Sequence, residues 1–192
     1  MRLLHRRALE IADEHVDAID TFDLTKPTPC DRWTLGDLLA HMIGQHEGFA
    51  LAVGAGTAPA AAYAPVPFSR DRWKSSVATI LDAFEGADVE DTAVLIELAP
   101  TPLPLPVVVG AQLLDTVVHT WDVARSSGRW YEPPNPLATA VVEVAELVQD
   151  DPHRSGSDLP FGPSRPGAGS PWQRTLARLG RDPVHPDQRS EA

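Results

Sequence analysis

Asp115 and His119 lie four residues apart in the otherwise largely apolar segment DTVVHTWDVARSSG (115–128). In an α-helix, residues with this spacing project from the same face, one turn above the other. A carboxylate and a neutral imidazole are common ligands of a divalent metal such as zinc, and catalytic sites leave one position open for water or substrate. The spacing therefore predicts half of a metal site. A hydrogen-bonded pair on a solvated helix edge gives the same pattern.

A third ligand must come from another part of the chain, and His41 is the best candidate. Its neighbours in LLAHMIG are mainly apolar, so this stretch of helix is predicted to face the core, where a histidine needs a partner. His46 is less favoured, because the adjacent Glu47 indicates a more solvated edge. A histidine on an apolar face is more often a hydrogen-bonded core residue than a ligand, so both interpretations of His41 stay open.

Asp122 follows His119 by three residues and is predicted to act behind the ligands rather than among them. It would pair with Arg125 or hydrogen-bond to a ligand and orient it. The remaining histidines have no convergent partner in the sequence and are predicted to be solvated: His5, His15, His153 and His185.

Other catalytic chemistries lack their motifs. The chain contains no G-x-G-x-x-G, no G-x-x-x-x-G-K-[ST] and no G-x-S-x-G, so nucleotide cradles and a serine nucleophile elbow are not indicated. Cys30, the single cysteine, lies in a turn beside Asp31, an acidic neighbour that disfavours a thiolate. It is predicted to be structural or incidental rather than a nucleophile.

Composition narrows the classes of partner. The formal net charge of −11 over 192 residues argues against nucleic acid or an anionic membrane surface as the main partner. One cysteine builds no intramolecular disulfide framework. Acidic residues interrupt the first apolar stretch too early for a signal peptide, and no apolar run is long enough to span a membrane. We expect a soluble, cytoplasmic protein.

Hydrophobic periodicity predicts an all-α domain over residues 1–151, followed by a Pro/Gly-rich C-terminal extension over 152–192 that packs on the bundle and ends in a disordered tail. The run 92–98 reads as an extended segment, and the prolines after it predict a crossover rather than a sheet. The predicted helices cover about 4–20, 34–53 with a Thr34/Asp37 capping box, 70–86 after Ser69, 107–128, 136–151 after an Asn135 cap, and a short piece at 171–180.

Three sequence blocks together carry a family resemblance. The segments DRWTLGDLLAHMIG and VVHTWDVARSSGRW, with the closing FGP and RTLARLGRDP, resemble the actinobacterial metal-binding proteins related to mycothiol-dependent maleylpyruvate isomerase, of the DinB-like superfamily. The resemblance spans roughly residues 4–183. It implies a DinB-like four-helix bundle, here with additional short helices, and a metal held between helices by His41, Asp115 and His119. Asp115 stands where these relatives carry glutamate. The isomerase's additional C-terminal domain is replaced here by an arginine-containing tail, so maleylpyruvate itself is not indicated as the substrate.

The resemblance favours a thiol-dependent, mycothiol-type transferase or isomerase acting on a small electrophile. The metal is expected to be zinc in first place and nickel in second, with a low-molecular-weight thiol such as mycothiol as co-substrate. Asp122 would then orient a ligand or accept the proton of the incoming thiol. The loop 54–68 and Trp121 or Trp130 would shape the cavity. Two alternatives remain: a metal-dependent hydrolase, and a non-catalytic protein that binds metal or a small ligand. A homodimer is left open.

Overall fold

A computed structural model describes residues 1–30, 33–96, 99–148 and 161–183. Its architecture is all-α, as predicted, with one very small sheet. The elements are α1 (Arg2–Asp17), α2 (Leu35–Ala55), α3 (Arg70–Gly86), β1 (Thr92–Ala93), β2 (Leu103–Pro104), α4 (Leu105–Ser126), α5 (Asn135–Ala145) and α6 (Pro171–Arg178), with 3₁₀ turns at Thr21–Thr25 and Ala60–Tyr63.

The helix starts follow the capping chemistry of the sequence. Thr34 and Asp37 form the predicted capping box of α2, and the Ser69 side chain caps α3. The fifth helix differs slightly from the prediction. Asn135 is its first residue and Pro134 takes the cap position, because a proline there presets an extended backbone without supplying a side-chain cap.

Helices α1 to α4 form the bundle. α1 packs mainly against α4, and α2 packs against both α3 and α4, so the middle of α4 is surrounded. Of the 22 residues of α4, 16 are buried, which explains why its sequence is apolar nearly all round. A polar side chain at the centre of α4 is therefore removed from water. It must find a partner inside the protein.

The connection between α3 and α4 departs from the prediction. β1 and β2 pair antiparallel, with Thr92 opposite Pro104 and Ala93 opposite Leu103, so the predicted crossover without a sheet is wrong at these four residues. A two-residue ladder needs few donors, and Pro104 sits at its end, where its missing N–H costs little.

Past residue 160, α6 packs on the bundle through α5. Trp172, Leu176 and Leu179 are buried in one hydrophobic cluster with residues of α1, α4 and α5. The predicted boundary at residue 151, the predicted tail disorder, and His153 and His185 lie outside the described residues. Within the described ranges, no helix combines the length and apolarity needed to cross a membrane.

Candidate metal centre

The structure brings His41, Asp115 and His119 together between α2 and α4. Asp115 Oδ1 lies 3.3 Å from His119 Nε2 and 3.7 Å from His41 Nε2. One potential ligand atom from each of the three residues falls within 4.8 Å of the other two. The four-residue spacing of Asp115 and His119 places two of these atoms on one face of α4. The packing of α2 against α4 supplies the third.

Two atoms of this cluster lack hydrogen bonds although they are buried. Asp115 Oδ2 has no hydrogen-bond partner among the described residues, and His119 Nε2 has no partner there beyond its ion pair with Asp115 Oδ1. Such atoms normally cost free energy of about 1–3 kcal/mol each, so their convergence needs a physical reason. A divalent cation between the three side chains would satisfy both atoms, and imidazole and carboxylate are suitable donors for it. The residues present therefore fit a metal.

On its other side, the His119 ring is fully engaged. Its Nδ1 lies 2.9 Å from Asp122 Oδ2, which orients the ring and points Nε2 at Asp115. Arg181 in turn donates to both oxygens of Asp122, from Nη2 at 2.8 Å and from Nε at 3.3 Å. Asp122 is completely buried. The predicted pairing of Asp122 with Arg125 is wrong, because the Arg125 guanidinium lies over the rings of Trp121 and Trp130 instead.

The charges in this cluster compensate one another despite burial. Burial opposes ionisation of Asp115, but the charge of His119 and, further away, of His41 outweighs it and holds the pKa of the carboxyl well below its usual range. Burial likewise opposes ionisation of Asp122, and Arg181 together with His119 brings its pKa down. The pKa of His119 is raised well above 6.5, since Asp115 and Asp122 overcome the effect of burial. Without a metal, His119 is the cation of this cluster.

Cys30 reaches the same cluster from the turn before α2. Its Sγ lies 3.1 Å from Asp122 Oδ2, 3.1 Å from Arg181 Nη2 and 3.9 Å from His119 Nδ1. Cys30, His119 and Asp122 are thus a second group with ligand-like spacing. The Arg181 guanidinium already occupies the carboxylate of this group, which disfavours a further cation there. Neither Arg181 nor this position of Cys30 was predicted.

An apolar cavity of about 660 Å³ reaches the candidate ligands at Asp115. Of the loop 54–68, which was predicted to shape the cavity, Tyr63 lines it. Trp121 is buried in the core and Trp130 stands outside, so neither tryptophan lines the cavity as predicted. Trp33 instead packs against the ring of His41, with 4.7 Å between ring centroids.

Two histidines predicted to be solvated or peripheral are buried. His5 pairs with Gln112 Oε1, and His46 Nδ1 lies 3.0 Å from Ser76 Oγ. Burial is the main reason that the pKa falls to about 4 for His5 and to about 3 for His46. These two side chains form a neutral polar group in the same bundle. His15, also predicted to be solvated, is half-buried and packs edge-on against Tyr131.

Comparison with known proteins places the chain in a family. The family model described as the mycothiol maleylpyruvate isomerase N-terminal domain matches residues 5–124, a range that contains all three candidate ligands. Two relatives from Mycobacterium tuberculosis are the uncharacterized proteins MT0763 (strain CDC 1551 / Oshkosh) and Rv0738 (strain ATCC 25618 / H37Rv). Each is 24% identical over 164 residues, which cover 85% of this chain and 87% of the relative. No solved structure matches the chain.

Proposed function

The chain belongs to the family of the mycothiol maleylpyruvate isomerase N-terminal domain, and from this membership we propose that it is a metal-dependent protein of thiol chemistry. His41, Asp115 and His119 hold a divalent metal, zinc in first place and nickel in second. The protein transfers a low-molecular-weight thiol of the mycothiol type to a small electrophile, or isomerises such a molecule with the thiol's help.

One observation carries this proposal: His41, Asp115 and His119 converge between two helices, where Asp115 Oδ2 and His119 Nε2 are buried without hydrogen bonds. Three protein ligands leave a coordination position for an exogenous group, which is the arrangement of catalytic rather than structural zinc sites. A bound divalent metal lowers the pKa of a thiol or water molecule at that position.

The chain's own residues hold and shield this chemistry. Asp122 is the positioning residue for His119, since it is fully buried and accepts from Arg181 as well as from the imidazole. Its burial favours the orienting role over contact with an incoming thiol. The cavity beside Asp115 is mainly apolar, so a ligand that fills it would displace water from Asp115 and strengthen electrostatic interactions at that edge.

Metal content tests the ligand set. We expect near-stoichiometric zinc or nickel in protein purified without an affinity tag, measured by elemental analysis, and loss of the metal in His41→Ala and in Asp115→Ala/His119→Ala. The matched control is His15→Ala, because His15 lies on α1 and touches none of the three ligands. Its metal content should equal that of wild type. A metal-free wild type that stays metal-free after incubation with zinc or nickel would overturn the proposal.

Thiol dependence tests the reaction class. Zinc- and nickel-loaded proteins would be assayed with 1-chloro-2,4-dinitrobenzene and mycothiol, with cysteine and glutathione as comparison thiols. We expect turnover with mycothiol that disappears in His119→Ala. Turnover of ester or amide substrates in the absence of any thiol would instead identify the hydrolase. Stoichiometric metal with neither activity would identify a non-catalytic metal-binding protein.

A further inference from the structure

The cavity beside Asp115 has the dimensions of a small-molecule site. Its volume of about 660 Å³ lies within the range that pockets for small ligands and cofactors occupy. It is walled by elements from four parts of the chain: Phe49 on α2, Tyr63 in the following turn, Leu114 on α4 and Val144 on α5. Because Asp115 forms part of the wall, a molecule in the cavity has one end at the candidate metal centre.

The side chains of the wall that are charged at neutral pH are both acidic. They are Asp115 and Glu143, and the other lining residues include Met1, which carries the amino group of the first residue. Arg178 lies near this region, but its Nε and Nη2 donate to the backbone carbonyl of Val148 and its side chain is not part of the wall. Anionic groups of a ligand would therefore lose their hydration against a predominantly apolar wall whose described side chains include two carboxylates and no basic group.

The rim continues the apolar character. Leu147 is 74% exposed and Val107 is 37% exposed, and both line the cavity. Exposed large apolar side chains next to a cavity are typical of a ligand-binding groove. The rim therefore offers apolar contacts to a molecule that enters the cavity.

We propose that this cavity binds an uncharged, predominantly apolar small molecule, with its reactive end at Asp115. Identification of that molecule as the electrophile of the thiol reaction rests on the proposed function. Binding itself rests on the cavity alone. A dicarboxylate such as maleylpyruvate would lose the hydration of both charged groups in this largely apolar cavity, so this chain is expected to have diverged in substrate class from the protein for which its family is named.

The test uses the uncharged fluorescent probe N-phenyl-1-naphthylamine with the full chain. We expect saturable binding with a blue-shifted emission, displaced by 1-decanol but not by equal concentrations of maleate. Ala111→Trp fills the wall on α4 and should weaken probe binding at least tenfold. Ala78→Trp makes the same substitution at an exposed position of α3 outside the cavity and should bind as wild type does.

A second variant guards against misfolding of Ala111→Trp. Val107→Trp blocks the rim at a partly exposed position and should also weaken probe binding. Three results would each overturn the proposal. Wild type shows no saturable probe binding, the folded Ala111→Trp and Val107→Trp variants bind the probe as wild type does, or maleate displaces the probe as effectively as decanol.

Metal content separates this proposal from the proposed function. Probe binding that persists in metal-free His119→Ala supports the cavity assignment independently of the metal. Stoichiometric metal in a wild type that binds no probe defeats the cavity assignment and leaves the metal centre in place. A metal-free wild type whose probe binding is blocked by Ala111→Trp defeats the metal centre and leaves the apolar cavity assignment in place.

Discussion

The buried histidines of this bundle fall into two groups whose pKa values are shifted in opposite directions. His119 has a raised pKa because Asp115 and Asp122 flank its ring. His5 and His46 have lowered pKa values because burial outweighs their neighbours' effects. The first group keeps its charges and compensates them, while the second remains neutral.

The difference between the two groups lies in their charges. The neutral histidines have neutral partners, His46 with Ser76 and His5 with Gln112, although His46 Nε2 and Gln112 Nε2 are also buried without a hydrogen-bond partner among the described residues. A histidine held between two carboxylates is costly in a bundle interior unless its charges are matched. Here Arg181 balances Asp122 on one side of the ring, and Asp115 on the other side retains an oxygen without a hydrogen bond. The ring is therefore supported by an ion pair on the side of Asp122, and the side of Asp115 is the one that the proposed metal would complete.

The largest expected effect comes from removal of Asp122, whose carboxylate hydrogen-bonds to both His119 and Arg181. Asp122→Ala leaves the Arg181 guanidinium buried without a counter-ion, and we expect it to lower the free energy of unfolding by about 3–5 kcal/mol. Urea unfolding followed by circular dichroism measures this loss. Asp82→Ala, an exposed aspartate on α3, should change stability by no more than about 0.5 kcal/mol.

A double variant distinguishes the ion pair from a general packing defect. Asp122→Ala/Arg181→Met removes both charges and should recover most of the lost stability. It should not recover metal affinity, which we expect to fall about 10- to 100-fold because the His119 ring is no longer oriented. If the double variant is as unstable as the single one, the pairing of Asp122 with Arg181 is not what stabilises this region.

The two neutral histidines, His5 and His46, predict an intermediate effect, a dependence of the free energy of unfolding on pH. In the unfolded chain both histidines protonate near pH 6.5, whereas in the folded protein the pKa is about 4 for His5 and about 3 for His46. The unfolded state therefore binds more protons below pH 6.5, and stability falls as the pH decreases. Between pH 7 and pH 5 the loss is about 2 kcal/mol for each histidine.

Urea midpoints measured across this pH range check the effect. Ser76 is the hydrogen-bond partner of His46, and the charges that affect its pKa are those of His5, Asp115 and His41. His46→Gln removes one titrating group and should reduce the pH dependence by about half. His15→Gln, at a half-buried position, should reduce it less. A His46→Gln protein with the wild-type pH dependence would show that His46 is not held neutral by the fold.

The smallest expected effect distinguishes the two candidate ligand groups. Cys30 belongs only to the group with His119 and Asp122, next to Arg181. Cys30→Ala should leave metal stoichiometry unchanged and change stability by less than about 1 kcal/mol. Elemental analysis checks the first and urea unfolding the second. Loss of the metal in Cys30→Ala would instead assign the metal to the group at His119 Nδ1, with Cys30 and Asp122.

The sequence predicted the site to the extent that local spacing determines it. Asp115 and His119 are one helical turn apart, and the apolar neighbours of His41 placed it in the core; the structure brings all three together. Their role as ligands stays a prediction. The helix starts at Thr34 and Ser69 were also predictable, because a cap acts on backbone three residues away.

The remaining features depend on contacts that no local pattern encodes. Arg181 is 59 residues from Asp122, and His5 is 107 residues from Gln112, so neither partner was visible from spacing. The exposed Glu47 suggested a solvated edge at His46. That side of α2 is instead covered by α3 and by the turn Ala60–Tyr63, which bury nearly every residue around Glu47.

The hydrogen bonds of Arg181 are also expected to form late in folding. This side chain joins Cys30, near the start of α2, to Asp122 on α4, across 151 and 59 residues of chain. Contacts of such long separation pay their loop-closure entropy late in folding. During synthesis, the bundle through residue 126 can be complete while Asp122 still lacks its guanidinium. A nascent chain thus gains the Arg181–Asp122 ion pair only after residue 181 has left the ribosome, so the charge on Asp122 is compensated by arginine after the helices of the bundle have been made.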